Sequence, residues 1–284
     1  ILLVLVLLLG DTAKGAQRWL DLGVIRFQPS ELMKLAVPMV LAGFMHARTL
    51  PPKLRTIAAG STLIVVPAAL IMQQPDLGTA LMIAISGGFV LYMAGLRWRF
   101  IGGLVLAGAA ALPLLWSQMN GYQRERVLTF LNPARDPGGA GYHITQSKVA
   151  IGSGGLFGKG WLNGTQAQLD FLPESATDFI FAVYAEEVGL LGVLLLLVLY
   201  LAIVGRGLFI SVKGQDSFQR LLAGSLSLVF FFYVFVNIGM VIGLLPVVGV
   251  PLPLISWGGT SMVSLLAGMG VLMSIHTHRR LLSS

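Results

Sequence analysis

The sequence of 284 residues predicts an all-α, polytopic integral membrane protein. Only 11% of its residues are charged, whereas soluble domains carry about 25%. Hydrophobic residues make up 56% of the chain, and they gather in runs of about the length that crosses a bilayer. Because lipid offers no hydrogen-bond partners to backbone groups, each crossing is expected to be a helix.

Apolar segments of this kind follow one another along the whole chain. The predicted spans are residues 31–46, 56–73, 77–95, 100–117, 178–204, 220–245 and 252–275. Residues 1–9 are also apolar but fall short of the roughly 20 residues that a crossing needs, so we interpret them as the tail of a helix whose beginning is missing. We therefore expect about eight crossings, the first one partial, within a single transmembrane domain of residues 1–284.

Basic residues in the short connections predict the orientation of these spans. They occur in alternate connections, at Arg48, Lys53 and Arg55, at Arg97 and Arg99, at Arg206, Lys213 and Arg220, and at Arg279 and Arg280. Cytoplasmic loops collect Lys and Arg, so this side and the C-terminus are expected in the cytoplasm. The same rule explains the net charge of +7 without nucleic acid.

The connection of residues 118–177, before the third-last span, is much longer than the others. It falls on the outer side, and a loop of that length is uncommon unless it is functional or disordered. Its aromatic residues and glycines indicate an ordered loop. Most acidic residues also lie on or near this face, so we expect the working surface to be outside: Asp11, Asp21, Asp76, Glu125, Asp136, Asp170, Glu174 and Asp178.

Asp178 lies where the long loop runs into an apolar span. A carboxylate at that depth is costly unless something uses or neutralises it. It could act chemically at the membrane surface. It could instead, with Thr177, cap the following helix, which would stabilise that helix by about 1 kcal/mol. Its position alone leaves both interpretations open.

Three blocks of sequence resemble the SEDS family of membrane glycosyltransferases, the FtsW/RodA/SpoVE family, and most closely its RodA branch. The first block reads Gly-Ala-Gln-Arg-Trp-Leu at 15–20 and Phe-Gln-Pro-Ser-Glu-Leu-Met-Lys at 27–34. The second extends over 124–187, and the third, at 246–261, contains Ser-Trp-Gly-Gly-Thr. The family has ten spans, so the resemblance implies that two helices and part of a third are absent from these residues.

The resemblance implies an enzyme that polymerises lipid II into glycan strands on the periplasmic face of the bacterial inner membrane during cell elongation. It implies Asp178 as the general base of an inverting transfer, with undecaprenyl pyrophosphate as leaving group; a single carboxylate base suffices for inversion. The implied partners are a class B penicillin-binding protein and other elongation-complex proteins. The family usually has Tyr and Ser where this chain has Trp257 and Thr260.

Further substrate-binding residues are expected around this base. Glu31 and Lys34 are spaced i, i+3 near the outer start of a span, so they can face the same side. They either line a lipid-access cavity or form an ion pair that fixes helix packing, and both interpretations stay open. The third block contributes Ser256 and the flexible backbone of Gly258 and Gly259.

Cations on the outer side are candidates for binding the pyrophosphate: Arg124, Arg126, Lys148 and Lys159. Arginine suits bidentate phosphate binding and lysine provides a point charge, although each could simply be a solvated loop charge. A divalent cation, Mg²⁺ or Mn²⁺, could share the task. The sequence contains no recognisable metal cage, and His143, His276 and His278 lie in no metal-ligand pattern.

Other polar residues are interpreted as structural. Glu186 and Glu187 point in different directions on one helix, so we expect one to pair with a cation or a polar backbone group. Asn237 is expected to hydrogen-bond between helices, and Asp76 to cap one. The glycine-rich residues 152–160 lack a Walker A pattern and are expected to form a flexible turn on the substrate side.

Two other functions fit a polytopic bundle with helices broken by proline and glycine. One is a lipid II flippase or transporter, and the other is a non-catalytic scaffold of the elongation machinery. Transport predicts polar groups along the whole depth of the bilayer, whereas catalysis gathers them at one face. They gather at the outer face here, which favours the enzyme.

Overall fold

The structure is a computed structural model, and it describes residues 2–13, 16–21, 26–118, 121–132, 136, 139–169, 171–172 and 174–278. Within these ranges the helices are α1 (Leu2–Leu9), α2 (Pro29–His46), α3 (Leu54–Met72), α4 (Leu77–Met93), α5 (Trp98–Gln118), α6 (Gly121–Leu131), α7 (Ala140–Ser153), α8 (Thr165–Gln168), α9 (Ile180–Val212), α10 (Ser217–Val241) and α11 (Gly259–Thr277). Among these, 4 helices are long and apolar enough to cross a membrane, namely α3, α9, α10 and α11. The all-α polytopic class is confirmed.

Three short strands lie between α1 and α2 where no strand was expected. They are β1 (Asp11–Ala13), β2 (Ala16–Asp21) and β3 (Arg26–Phe27), and they form an antiparallel sheet in the order β1-β2-β3. Strands this short give too few alternations of polar and apolar residues for a periodic pattern to identify them.

The last predicted span, residues 252–275, is displaced in the structure. Helix α10 ends at Val241 and α11 begins only at Gly259, so residues 242–258 form an irregular segment. Pro246, Pro251 and Pro253 explain the difference, because proline removes a backbone donor and clashes with the preceding turn of a helix. The apolar composition of the segment conceals this break.

The chain divides into two compact units, which are described separately. The first contains residues 1–96, 202–232 and 258–284. Its helices α2, α3 and α4 pack around buried side chains that include Leu41, Met45 and Ile83. Glycine allows the close approach of these helices: a Cβ at Gly60 would lie 2.7 Å from Met45 Cε, and one at Gly87 would collide with Ile64.

The second unit contains residues 97–201 and 233–257, and it includes the whole connection of residues 118–177. The described residues of this connection contain the helices α6, α7 and α8. The description of residues 1–284 as one transmembrane domain, with 118–177 as its periplasmic loop, stays a prediction.

Helix α9 is broken at Gly189, whose φ of 72° and ψ of −170° are not helical. The glycine-rich segment pairs with the backbone on both sides of the break. Lys159 N donates to Glu186 O at 3.0 Å, and Leu190 N donates to Gly155 O at 2.9 Å. A Cβ at Gly189 would collide with Gly158 N. Residues 152–160 are therefore fixed to α9, which differs from the flexible turn expected from the sequence.

Candidate active site

Asp178 lies in a turn that ends just before α9 begins at Ile180, and it is half-buried. The turn is closed by the amides of Thr177 and Phe179, which donate to Glu174 O at 3.1 and 3.2 Å. Asp178 thus lies two residues before a helix that is long and apolar enough to span the membrane. Its place on the outer face stays a prediction.

Asn237 attaches the Asp178 backbone to α10. It is fully buried, and its Nδ2 donates to Asp178 O at 2.9 Å and to Val250 O at 2.8 Å. A hydrogen bond between helices was expected of Asn237, but both acceptors lie outside helices, in the turn before α9 and in the irregular segment after α10. No local pattern indicated that the bond reaches the candidate base, because residues 178 and 237 are far apart in sequence.

Ser256 and Trp257 attach the same turn from the other side. Ser256 Oγ donates to Thr177 O at 2.7 Å and accepts from Leu252 N at 2.7 Å, and Trp257 N donates to Ala176 O at 2.8 Å. These bonds join the irregular segment after α10 to the Asp178 turn. They engage the Ser256 hydroxyl with the backbone, and its contact with substrate stays a prediction.

Gly249 lies against the carboxylate itself. Its φ is 72°, a conformation that favours glycine. A Cβ added there would lie 3.5 Å from Asp178 Oδ2. The glycine therefore allows the backbone of this segment to approach the acid without a side chain between them.

Helix α7 places Lys148 and His143 beside these segments. Lys148 is exposed, and a Cβ at Gly243 would lie 2.7 Å from Lys148 Nζ. The His143 ring packs against Phe179, with a centroid distance of 5.9 Å. Burial lowers the pKa of His143, although the carboxylates of Asp136 and Glu174 act in the opposite direction. Sequence reasoning missed His143 as a neighbour of the site, because no local pattern indicated that α7 packs there.

Arg124 is engaged with the end of α5. Its Nε donates to Trp116 O at 2.9 Å and its Nη2 donates to Ser117 O at 2.8 Å, while the guanidinium lies 5.9 Å from the Trp116 ring centroid. A cation at these carbonyls stabilises the helix terminus. The side chain of Arg126 lies outside the described part of the structure, so its predicted role is not addressed.

Glu186 is a buried carboxylate surrounded by donors. Its Oε1 receives Lys159 Nζ at 2.6 Å, both N and Oγ1 of Thr165 at 3.0 Å, and Ser153 Oγ at 3.3 Å. Gln166 N donates to Oε2 at 3.2 Å. The expected pairing of one of the two glutamates with a cation is confirmed. Lys159, predicted as a cation on the reaction side, is held by this carboxylate.

In the first unit, Glu31 and Lys34 form a buried pair on α2. Lys34 Nζ lies 2.6 Å from Glu31 Oε1, and Ser264 Oγ from α11 donates to Glu31 Oε2 at 2.9 Å. Gly258 precedes α11 and Gly259 begins it, with Met262 N donating to Gly258 O at 2.9 Å. These glycines therefore set the start of the helix that delivers Ser264.

Asp76 caps α4, as the sequence predicted. Its Oδ1 accepts from Thr79 N at 3.1 Å, and its Oδ2 accepts from Gln28 Nε2 at 3.3 Å. Arg18 was not expected here. Its Nη2 donates to Pro75 O at 2.6 Å, and its Nε lies 3.7 Å from Asp76 Oδ2. This network ties strand β2 to the start of α4.

The arrangement offers a carboxylate on a fixed turn and an exposed lysine on α7 in one unit, and a buried ion pair in the other. Across the residues that the structure describes, no group of three or more His, Cys, Asp or Glu side chains could hold a metal ion. The suggested divalent cation stays a prediction, and no chemical step is assigned to it.

Comparison with known proteins identifies relatives over the whole chain. The family model FTSW_RODA_SPOVE, described as "Cell cycle protein", matches residues 1–281. The chain is 58% identical over 284 residues to the peptidoglycan glycosyltransferase MrdB of Escherichia coli (strain K12), which covers 100% of this chain and 77% of that protein. It is 38% identical over 287 residues to the probable peptidoglycan glycosyltransferase FtsW of Escherichia coli O6:H1, covering 99% of this chain and 69% of that protein.

Two solved structures are also similar. One is described as "Structural coordination of polymerization and crosslinking by a peptidoglycan synthase complex", and the match has a TM-score of 0.85 at 33% identity, covering 99% of this chain and 79% of that chain. The other is the rod shape determining protein RodA of Thermus thermophilus, with a TM-score of 0.70 at 32% identity, covering 98% of this chain and 75% of that chain.

Proposed function

Because the chain belongs to the FtsW/RodA/SpoVE family, we propose that it works as a peptidoglycan glycosyltransferase that polymerises lipid II during cell elongation. It is a multi-pass protein of the bacterial inner membrane, and the reaction takes place at the periplasmic face. The observation that carries the proposal is the half-buried Asp178, which lies two residues before α9, a helix long and apolar enough to span the membrane.

In the proposed reaction, a carboxylate oxygen of Asp178 accepts the proton of the acceptor sugar hydroxyl. The hydroxyl oxygen forms a bond to the anomeric carbon of the donor, and the bond from that carbon to the pyrophosphate oxygen breaks. Undecaprenyl pyrophosphate leaves with the electron pair. Attack opposite the leaving group inverts the anomeric centre, so a single base is sufficient.

The fixed position of the turn supports this role. Asn237, Ser256 and Trp257 hold the backbone of residues 176–178. A base must stay within hydrogen-bond reach of the proton that it removes, and a displacement of about 1 Å costs up to about 100-fold in rate. We therefore assign these residues to positioning Asp178.

The departing pyrophosphate needs positive charge nearby. Lys148 is the first candidate, because it is exposed and its helix also packs His143 against Phe179, next to the base. Arg124 is also a candidate. It ranks after Lys148 because its Nε and Nη2 already donate to carbonyl groups at the end of α5. Arg126, Ser256, Gly258 and Gly259 complete the proposed substrate-binding set, and a divalent cation, Mg²⁺ or Mn²⁺, could add further charge.

Replacing the carboxylate by its amide tests the proposal. Asp178→Asn should insert and melt like the wild type but polymerise lipid II about 10²- to 10⁴-fold more slowly, which is the contribution of a general base. The measurement is glycan-strand formation from lipid II by the purified full-length protein in proteoliposomes. Asp216→Asn is a matched control, because Asp216 also precedes a helix, accepting from Gln219 N at 2.7 Å. Near-normal synthesis by Asp178→Asn would exclude this base.

The same assay in detergent separates polymerisation from transport. Detergent micelles have no second compartment, so a flippase or a scaffold would leave lipid II monomeric. Appearance of polymer with the wild type, and its loss with Asp178→Asn, would exclude both alternatives as the sole function.

The proposed partner is a class B penicillin-binding protein of the elongation complex. The similar chain in a peptidoglycan synthase complex that coordinates polymerisation and crosslinking supports this. The proposal fails if the two purified proteins do not co-elute in mild detergent.

We also propose a cytoplasmic C-terminus, supported by the basic residues after α2, α4, α9 and α11. An impermeant thiol reagent added to spheroplasts should not label Thr277→Cys.

A further inference from the structure

Four large apolar side chains are exposed in the connection between α7 and α8. Their exposed fractions are 59% for Leu156, 78% for Phe157, 74% for Trp161 and 62% for Leu162. We refer to these four residues as the apolar tip. Such a group of exposed apolar side chains indicates a surface that something else covers.

The depth of the apolar tip follows from its backbone bonds to α9. Leu191 N donates to Leu156 O at 3.2 Å, and Gly160 N donates to Glu187 O at 2.9 Å. The tip is therefore attached at the Gly189 break, whatever the tilt of the helix.

The break itself lies at one end of a membrane-length helix. From Leu190 to Val212, α9 is long enough to cross a hydrocarbon core of roughly 30 Å at about 1.5 Å per residue. Lys213 follows directly at the other end. Beyond the break, exposed leucines continue from the tip along α9, at Leu190, Leu191, Leu194 and Leu195. The Gly189 break thus marks the outer boundary of the hydrocarbon.

The only charged side chain within the segment that carries the tip is turned away from this surface. Lys159 lies between Phe157 and Trp161 in sequence, but its ammonium is 2.6 Å from the fully buried Glu186 carboxylate. The segment therefore presents aromatic and aliphatic side chains outward while its charge is neutralised inside. Tryptophan is also enriched at the boundary between hydrocarbon and headgroups.

We propose that the apolar tip inserts into the outer leaflet of the bilayer, at the boundary between headgroups and acyl chains, as a monotopic anchor of the long outer loop. The partner of this surface is phospholipid. Because residues 154–160 are bonded to α9 and Lys159 to Glu186, the anchor also sets the height of the loop above the membrane. The α9 segment before the break connects it to the Asp178 turn.

Site-directed spin labelling tests the depth directly, and the 284 residues contain no cysteine that would interfere. A nitroxide is attached to Phe157→Cys in the full-length protein, reconstituted in vesicles of phosphatidylethanolamine and phosphatidylglycerol. Leu194→Cys on α9 serves as a hydrocarbon reference, and Glu125→Cys, exposed on α6, as a water reference. The ratio of oxygen to nickel-chelate accessibility at position 157 should be close to that at 194 and several-fold above that at 125.

Two results would overturn the proposal. A ratio like that at position 125 would place the tip in water, and an immobile label protected from both reagents would mean that protein covers it. If Phe157→Cys does not fold, Trp161 provides a second measurement. Lipids brominated near the headgroup should quench the protein's fluorescence more strongly than lipids brominated near the chain end, and Trp161→Phe, which removes one of the five tryptophans of the 284 residues, should reduce that difference. An unchanged difference in Trp161→Phe would also reject the anchor.

Discussion

Asp178 lies in the turn just before α9 and Glu186 in the first turns of that helix, and the two carboxylates have different surroundings. Glu186 is fully buried, and its oxygens receive an ammonium, hydroxyls and amides. Asp178 is half-buried, and its turn is held through main-chain groups, by Asn237, Ser256 and Trp257. The donors around Glu186 indicate a structural role, and the main-chain bonds that fix its turn support the proposed role of Asp178 as a base.

The largest expected effect is on stability, and it tests the structural role of Glu186. Glu186→Gln should lower the free energy of unfolding by about 3–5 kcal/mol, because Lys159 loses its charged partner in a buried site. The lower end applies, since the Lys159 side chain is 30% exposed. Thermal melting in detergent measures it, with Asp178→Asn as the variant whose melting should not change. Equal melting of both variants would contradict the structural role of Glu186.

The buried pair of the first unit is the next strongest test. Lys34→Met should lower the free energy of unfolding by about 2–3 kcal/mol. The loss is smaller than for a buried ion pair with no other partner, because Ser264 still donates to Glu31. If the pair also lines a lipid-access cavity, the alternative that the sequence left open, KM for lipid II should rise at temperatures where the variant is folded. Ser264→Ala is the control, since it removes only the hydroxyl. Lower melting with unchanged kinetics would assign the pair to helix packing alone.

Ser256→Ala should have a smaller effect on stability but a clear one on rate. Loss of a buried hydroxyl that both donates and accepts costs about 1–3 kcal/mol, and the Asp178 turn loses one of its attachments. We expect kcat to fall roughly tenfold because the base is displaced, and any rise in KM would report the proposed contact of Ser256 with substrate. Ser147→Ala, which removes a buried bond to Val241 O, is the matched control and should lose stability only. Equal kcat in the two variants would reject the positioning role.

The smallest effect concerns pH and His143. Its pKa is below the ordinary 6.5 because of burial, so the unfolded chain takes up this proton first and stability is lost as the pH falls below about 6.5. The loss ends once the pH is below the lowered pKa of the folded state. Melting temperature against pH should be flatter in His143→Gln than in the wild type. If the melting temperatures of His143→Gln and the wild type depend on pH in the same way, His143 is not the source of the pH dependence.

Much of the helical pattern could be predicted, because long apolar runs indicate spans with little ambiguity. The predicted segments 31–46, 56–73 and 77–95 differ from α2, α3 and α4 by only a few residues. The predicted beginning of the last span, residue 252, precedes the first residue of α11 by several residues. The segment before α11 is as apolar as a span, so its prolines did not stand out. The strands β1–β3 were missed because they are too short for a recognisable period.

Asp178 could be proposed as the base from its place before a long apolar run and from the family resemblance, and this role stays a prediction. The residues that hold its turn could not be predicted. The bonds from Asn237 and Ser256 join residues far apart in sequence, which no local pattern encodes. The engagement of Arg124 and Lys159 by protein groups was also unforeseen, since a charge in a loop gives no indication of its partner.

The attachment of Trp257 has a consequence for what can stand at its position. Its contribution to the Asp178 turn is its amide N–H, while its indole is exposed, at 82%. Every amino acid except proline supplies that donor. Trp257, at the position where the family resemblance implies tyrosine, therefore leaves this attachment intact, and the turn constrains the backbone of this position rather than its side chain.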